Sequence, residues 1–225
     1  MRPDQFQLHQ IYQNLVHTLQ AKGKTNPPQP SFLQSELLAS SNQGSYIFPI
    51  NQTDSGVIRS SERRLNVNDS FVCVAVGLYL KSEDPAKPGS AVNWAYPNAT
   101  TFAAEAGNLA TADLEAFFNS RLRIKVGDRV FIEAQDMSLG RVTNTTAATE
   151  RDGTDGLNIA EPVITFDGSD KNEVTLTVPV WSGQQQQYVT ATNRVYVVLK
   201  FWGFLVTGVS KLNFNNAPAK HVAAK

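Results

Sequence analysis

The sequence has very few of the residues that build metal sites and nucleophilic sites. It contains one cysteine, Cys73, so no intrachain disulfide can form, and the fold must be stable without such cross-links. Of the three histidines, His9 and His17 lie near the start of the chain and His221 lies near its end. The sequence therefore excludes a Ser-His-Asp or Cys-His site within one folded body, and also a zinc site that needs histidine ligands.

Long apolar runs and phosphate-binding motifs are also missing. The most apolar stretch, Arg194–Val209, is interrupted by Lys200 and Gly203 and is shorter than the about 20 residues that a transmembrane helix needs. Met1–Gln10 is polar and is not followed by the apolar h-region of a signal peptide, so we expect neither a signal peptide nor a membrane span. The glycine-rich patterns that cradle phosphates in nucleotide-binding proteins are absent.

The chain has no net charge, but its charged residues are unevenly distributed. The formal net charge is 0, so the chain as a whole is not a polyanion binder. Between Asp128 and Glu173 there are ten acids and four bases, and no acid follows Glu173. The two ends are mildly basic, and we predict that any contact with nucleic acid is a weak one made by these termini.

The amino-acid composition of Arg194–Val209 predicts the architecture. A run this apolar is either a buried strand or a buried helix, and its content of Val, Tyr, Phe and Trp favours a strand. A strand that is apolar on both faces must lie between two layers. We therefore predict a mostly β chain, an antiparallel β-sandwich or jelly roll, with its body at residues 31–212.

Short β-like runs separated by turn residues support this architecture. A short inserted helix is predicted at Thr111–Asn119, and Phe32–Ser41 is predicted to be a helical turn or irregular. The polar segments Ser82–Gly107 and Ser138–Gly156 are predicted to be long loops that carry function or make contacts. The predicted strands are Ser45–Ile50, Gly56–Ser60, Ser70–Lys81, Arg121–Lys125, Arg129–Ala134, Leu157–Phe166, Glu173–Trp181, Tyr188–Thr192 and Arg194–Val206.

The first 30 residues are predicted to form an arm. Asp4–Ala21 has apolar residues at helical spacing, and the proline-rich Lys24–Ser31 is expected to be extended. The arm docks either on its own body or on a neighbouring subunit. Residues 213–225 are predicted to be a flexible tail. The stripe of the helix consists of Leu8, Ile11, Tyr12, Leu15, Val16 and Leu19.

Two groups of side chains are candidates for ligand contact. The acidic turns at 152–156 and 167–173 offer oxygen ligands of the kind that calcium prefers, without the EF-hand spacing. Trp94 and Tyr96, with Trp181 and Tyr188, lie in predicted loops or beside a turn, where they either contact a partner or fold back over the sheet ends.

The layout of an amphipathic arm, a proline hinge, a histidine-poor β body and a basic tail resembles that of single-jelly-roll coat proteins of icosahedral viruses and phages. The resemblance implies a structural, self-assembling virion protein whose partners are copies of itself and other virion proteins, assembled in the host cytoplasm without catalytic residue, cofactor or metal. The alternatives are a carbohydrate- or receptor-binding β module of a phage fibre or adhesin, and a carboxylate-based glycosidase or metal-dependent hydrolase. The predicted partner-binding residues are Leu8, Ile11, Tyr12, Leu15, Leu19, Trp94 and Tyr96.

Overall fold

A computed structural model describes residues 5–40, 43–56, 58–89, 91, 93–96, 111–140, 148–149, 156–180, 189, 193–212 and 214. Within these residues the chain forms two antiparallel sheets and few helices, as predicted. In chain order the elements are α1 (Gln5–Ala21), β1 (Gln29–Leu38), β2 (Ser45–Phe48), β3 (Ser70–Glu83), β4 (Asn93–Tyr96), α2 (Thr111–Phe118), β5 (Arg121–Val126), β6 (Arg129–Asp136), a short 3-10 helix (Met137–Gly140), β7 (Ala148–Thr149), β8 (Leu157–Asp167), β9 (Asn172–Thr177) and β10 (Arg194–Val206).

The larger sheet has six strands in the order β1-β10-β3-β4-β7, and β8 pairs with β3 beside β4. β10 is an interior strand of this sheet, which pairs with β1 on one side over Tyr196–Leu205 and with β3 along its whole length on the other. The bounds of β10 agree with the sequence prediction. The most apolar stretch of the sequence is therefore an interior strand of the larger sheet.

The side chains of β10 alternate between the two faces of the larger sheet. Val197 and Phe201 point into the core between the sheets, while Lys200 lies on the outer face with its Nζ atom 5.2 Å from the centre of the Phe32 ring. After Trp202 the register shifts by a bulge. A Cβ atom at Gly203 would lie 1.9 Å from the carbonyl oxygen of Val72, so the close approach of β3 and β10 requires glycine there.

The smaller sheet has four strands in the order β2-β9-β5-β6. β2, β5 and β9 alternate buried residues with more exposed ones, which is the pattern of a sheet with one face on a core and one face toward solvent. The outward positions of β5 carry Arg121, Arg123 and Lys125, and Arg123 pairs with Glu133 of β6 at 3.3 Å. The inward positions of both sheets form one shared core, as in a β-sandwich.

α1 covers part of the outer face of the larger sheet. Ile11, Leu15 and Leu19 are buried against β3, β10 and the residues after β10, and the Tyr12 ring lies 5.7 Å from that of Phe204. The other members of this cluster are Leu8, Val72, Val74, Val163, Trp202, Val206, Val209, Leu212 and Phe214. In this chain the arm therefore docks on its own body, which is one of the two arrangements expected from the sequence.

Three local predictions were wrong. Phe32–Ser41 is not a helical turn or irregular, because 32–38 belongs to β1. The described part of Gly56–Ser60 forms no strand, and its Arg59 is instead bound by charged groups of other segments. The predicted loops Ser82–Gly107 and Ser138–Gly156 contain the short paired strands β4 and β7. Because β1 begins at Gln29, the body starts a little earlier than residue 31.

Candidate functional site

Beside the area that α1 covers, the outer face of the larger sheet carries a group of charged side chains that are mostly buried. We call this group the ionic cluster. β1 contributes Glu36, β3 contributes Lys81 and Glu83, and the connection between β2 and β3 contributes the rest. Its six members are Glu36, Arg59, Glu62, Arg64, Lys81 and Glu83. Three acids and three bases balance its formal charge.

Glu36 is the centre of the ionic cluster. Its side chain is fully buried, and its Oε2 atom contacts Lys81 Nζ and lies 3.2 Å from Arg59 Nε. Gln34 Nε2 donates a hydrogen bond of 2.8 Å to the other carboxylate oxygen. Burial alone would raise the pKa of Glu36, but hydrogen bonds from Lys81 and Ser61 and the charge of Lys81 hold the pKa below its ordinary value. The carboxylate therefore stays ionised.

Lys81 lies beside Ser61, with 3.1 Å between Nζ and Oγ. Burial lowers the pKa of Lys81, while Glu36 opposes that effect. A lysine that takes the proton of a serine nucleophile must be neutral. Burial leaves the pKa of Lys81 below its ordinary value, but the contact with the carboxylate of Glu36 opposes loss of the proton, and this geometry serves charge pairing.

The ionic cluster fixes the 58–64 segment on the sheet. The guanidinium of Arg59 pairs with Glu83, donates a hydrogen bond of 2.8 Å to Tyr196 Oη, and lies 4.0 Å from the centre of the Tyr196 ring. Glu62 accepts hydrogen bonds from the backbone N–H groups of Glu36 at 3.0 Å and Arg59 at 2.8 Å. These contacts join β1, β3 and β10 to a segment that forms no strand of its own.

The acidic turn at 167–173 is built around Asp167. Both oxygens of this carboxylate accept hydrogen bonds, from the backbone N–H groups of Ser169 and Lys211 and from the hydroxyls of Ser70 and Ser169. Asp170, Arg129 and Lys211 line a cavity of about 520 Å³ beside it. Since its oxygens are occupied, Asp167 stabilises the turn. The other acidic turn, at 152–156, lies outside the described residues except for Gly156.

No group of three or more acidic, histidine or cysteine side chains in the described ranges is arranged to hold a metal ion. Cys73 is buried, and burial raises the pKa of its thiol. In the same part of the chain no helix is both long and apolar enough to cross a membrane.

The predicted partner-binding residues separate into two groups. Leu8, Ile11, Tyr12, Leu15 and Leu19 lie together on the inner side of α1, against the larger sheet. Trp94 is 6 % exposed and belongs to the core between the sheets, so in this conformation it is covered by its own chain. The side chain of Tyr96 lies outside the described residues, as do Trp181 and Tyr188.

Sequence reasoning missed the ionic cluster. The available signal was weak: Lys81 and Glu83 end the apolar run of β3, and Gln34 and Glu36 alternate with Leu33, Ser35 and Leu37 in β1. Charges at such positions usually indicate a solvated strand end. Nothing in the local sequence shows that Arg59 lies over them.

Comparison of the chain with protein-family models, with curated proteins and with solved structures gives no match. The function is therefore inferred from the fold and from the surfaces described above.

Proposed function

We propose that the protein is a structural, self-assembling virion protein, a capsid or coat subunit whose body is a jelly roll. The observation that carries the proposal is a nested pairing of strands. β1 pairs with β10, β2 with β9, β3 with β8 and β5 with β6, and every pair is antiparallel.

Nested pairs of this kind are expected when one long antiparallel ribbon of eight strands is rolled into two sheets. Neighbouring pairs of the ribbon then fall alternately in the two sheets. Here β1, β10, β3 and β8 share the larger sheet, and β2, β9, β5 and β6 share the smaller one. The short β4 and β7 lie in connections outside the nest. Double-sheet jelly rolls of eight strands occur in viral capsid and lectin domains and in cupins.

A fold alone does not fix a function, so the side chains of this protein must be used to distinguish between a capsid subunit, a lectin and a cupin. A centre of histidine-bound metal lacks ligands, because no histidine occurs between residues 18 and 220. A sugar site that stacks on Trp94 lacks that platform, because Trp94 is buried. The alternative of a carbohydrate- or receptor-binding module therefore has no specific support among the described residues.

The features that favour a shell subunit are those of a rigid block. The outer face of the larger sheet is closed by α1 and by the ionic cluster, and the buried Glu36, Lys81 and Glu83 are paired with charges of opposite sign. Such a body acts through its surfaces on other copies and on other virion proteins. On this proposal it is assembled in the host cytoplasm, and its basic termini make at most weak contact with nucleic acid.

Negative-stain microscopy and sedimentation velocity of the purified full chain test the proposal. We expect closed particles of uniform size above a threshold concentration. A monomer that forms no particles at any concentration would contradict it.

A truncation tests the part played by the arm. Removal of residues 1–24 deletes α1 and spares β1, which begins at Gln29. We expect a body that keeps its near-ultraviolet circular dichroism but no longer forms particles. Particles of wild-type size from the truncated chain would show that the arm has no part in assembly.

A further inference from the structure

A cavity of about 520 Å³ lies between β6 of the smaller sheet, β8 of the larger sheet and the segment that follows β10. We call it the β6–β8 cavity. Its volume falls within the range of about 300–1,000 Å³ that is typical of small-molecule sites. Phe131, Leu212 and Phe214 form apolar parts of its wall. Apolar walls with a few charged groups at fixed positions suit a small ligand that has both kinds of surface.

Two cations, Arg129 and Lys211, line the β6–β8 cavity. Neither of them has an ion-pair partner among the residues that the structure describes. In the ionic cluster, by contrast, each cation is paired with a carboxylate. The guanidinium carbon of Arg129 lies 4.5 Å from the centre of the Phe131 ring, and this cation–π contact holds the charge beside the cavity. The cavity therefore offers two positive charges to an anion.

The backbone of Lys211 is in the left-handed region, with a φ of 58°. No other non-glycine residue of the described ranges has a positive φ, because this conformation brings Cβ close to the following carbonyl oxygen. The Lys211 N–H donates to the carboxylate of Asp167, and the Ser70 hydroxyl donates to the carbonyl oxygen of Val209 at 2.7 Å. These contacts hold the segment in its strained conformation. Strain that is held in this way is concentrated at ligand-binding and active sites.

Thr165 supplies an independent sign of a ligand. It lines the β6–β8 cavity, it is only 8 % exposed, and its hydroxyl has no hydrogen-bond partner among the described protein groups. A buried hydroxyl without a partner is costly, and most such groups in native proteins are satisfied. An acceptor oxygen of a ligand in the cavity would satisfy this one.

The two acids that line the β6–β8 cavity are Asp167 and Asp170. Asp167 already accepts four hydrogen bonds from its own chain. Asp170 lies beside the β5–β6 turn, where its Oδ2 atom is 3.7 Å from the position of a Cβ on Gly127. The groups open to a ligand are therefore two cations and a hydroxyl against one carboxylate. This balance favours a ligand with a single negative charge over a metal cation or a doubly charged phosphate.

We propose that the β6–β8 cavity binds a small organic monocarboxylate with an apolar or aromatic body. Its carboxylate accepts hydrogen bonds from Arg129, Lys211 and Thr165, and its body packs on Phe131 and Phe214. The planar guanidinium of arginine matches the geometry of a carboxylate. The inference goes beyond the proposed function, because this site is separate from the ionic cluster and no assembly contact is assigned to it.

Benzoate is the probe, and equilibrium dialysis of the full chain against labelled benzoate measures its binding whether the chain is a monomer or a particle. We expect saturable binding of one benzoate per chain. Benzyl alcohol has the same ring without the charge, and we expect it to bind about tenfold more weakly or worse. Inorganic phosphate is also expected to compete more weakly than benzoate.

Substitutions at the charged groups test the assignment. Arg129→Gln is expected to weaken benzoate binding by about tenfold or more, whereas Asp170→Asn is expected to tighten it several-fold, because a like charge is removed. Arg123→Gln is the matched control, since Arg123 lies on the neighbouring strand and pairs with Glu133 outside the cavity. It is expected to leave the affinity unchanged.

Two further variants separate a ligand site from a structural role. Thr165→Val removes the unpaired hydroxyl, and Lys211→Gly removes the strain of a positive φ. We expect both to keep or raise the urea midpoint of unfolding and to weaken benzoate binding. A lowered midpoint with unchanged affinity would assign both residues to stability alone and overturn their place in the site.

The remaining outcomes are equally decisive. Equal affinities for benzoate and benzyl alcohol, wild-type affinity in Arg129→Gln, or a benzoate titration that never saturates overturns the carboxylate site. Phosphate that binds more tightly than benzoate overturns the choice of a monocarboxylate. None of these results bears on particle formation, which is measured separately.

Discussion

The outer face of the larger sheet is closed in two different ways. Under α1 the contact is apolar, with Leu15 and Val72 fully buried. Next to it, Glu36 and Lys81 are just as deeply buried, under a segment without regular structure. Both parts exclude water, but burial stabilises the first, whereas in the second the attraction of the charges must offset the cost of removing them from water.

The apolar cover, formed by α1, and the charged cover, formed by the ionic cluster, are therefore expected to respond differently to substitutions. An apolar contact loses free energy in proportion to the surface and volume removed, and nearby side chains partly compensate. A buried ion pair that loses one partner leaves a charge without compensation. We therefore expect the ionic cluster to be the less tolerant of the two.

The largest effect is expected for Lys81→Met, which leaves Glu36 buried without its main partner. Loss of one member of a buried pair costs about 3–5 kcal/mol in the free energy of unfolding. Urea denaturation measures the loss. The double variant Glu36→Leu with Lys81→Met is expected to recover a large part of it, and Lys171→Met, in an exposed pair with Glu173, serves as the control without a measurable change. If Lys81→Met proves neutral, the cluster does not stabilise the fold.

The next effect is expected for Leu15→Ala under α1. Leu15 has no exposed surface, and truncation of a buried leucine to alanine costs about 2–5 kcal/mol. Val16→Ala on the half-buried flank of the same helix is the matched control, with a clearly smaller loss. Equal losses from both variants would show that α1 is not held by the stripe.

A smaller effect is expected on acidification, which should loosen the ionic cluster before the apolar contact of α1. The pKa of Glu36 is lowered by folding, so its contribution is present above the unfolded-state pKa of about 4.3 and is lost as the pH falls through the lower folded-state value. We expect the protection of the amide hydrogens at residues 58–64, corrected for the intrinsic exchange rate at each pH, to fall on acidification before the protection in α1 does. A simultaneous loss of protection in both segments would remove the distinction between the covers.

The smallest effect is expected at the two surface contacts of the arm. Lys22 Nζ and Lys24 Nζ donate to the carbonyl oxygens of Lys211 at 3.2 Å and Gly208 at 3.4 Å, and both contacts are exposed. Exposed contacts of flexible side chains contribute little. Alanine at both positions is expected to leave the unfolding midpoint unchanged within error, and a large shift would show that polar contacts fix α1 to the body.

The comparison also shows which parts of the fold the sequence predicted. α1 and β10 were found with nearly correct bounds, because their patterns are complete within a few residues. β1 was missed, because Gln34, Ser35 and Glu36 have the composition of exposed or irregular chain. Glu36 is buried with Lys81 and Arg59 as charged partners from distant positions, and Gln34 donates hydrogen bonds to Glu36 and to the carbonyl oxygen of Ser61.

The candidate sites were likewise predicted only as far as local patterns allow. The apolar stripe of α1 was predicted, but the spacing of its apolar residues does not show whether it packs on its own sheet or on a neighbouring subunit. Trp94 was expected in a loop and instead pairs within β4 and lies in the core. An aromatic side chain in a polar stretch gives no sign of which surface covers it.

The sequence by itself determined that the chain is mostly β, that it begins with an amphipathic helix, and that its central part has no histidine for catalysis or metal binding. These properties depend on composition and on periodicity over short distances. The tertiary structure alone decided the nested strand pairs, the place of α1 on its own sheet and the matching of six charges, of which only Arg59 is partly exposed. Each of these depends on contacts between residues far apart in the chain, which no local pattern specifies.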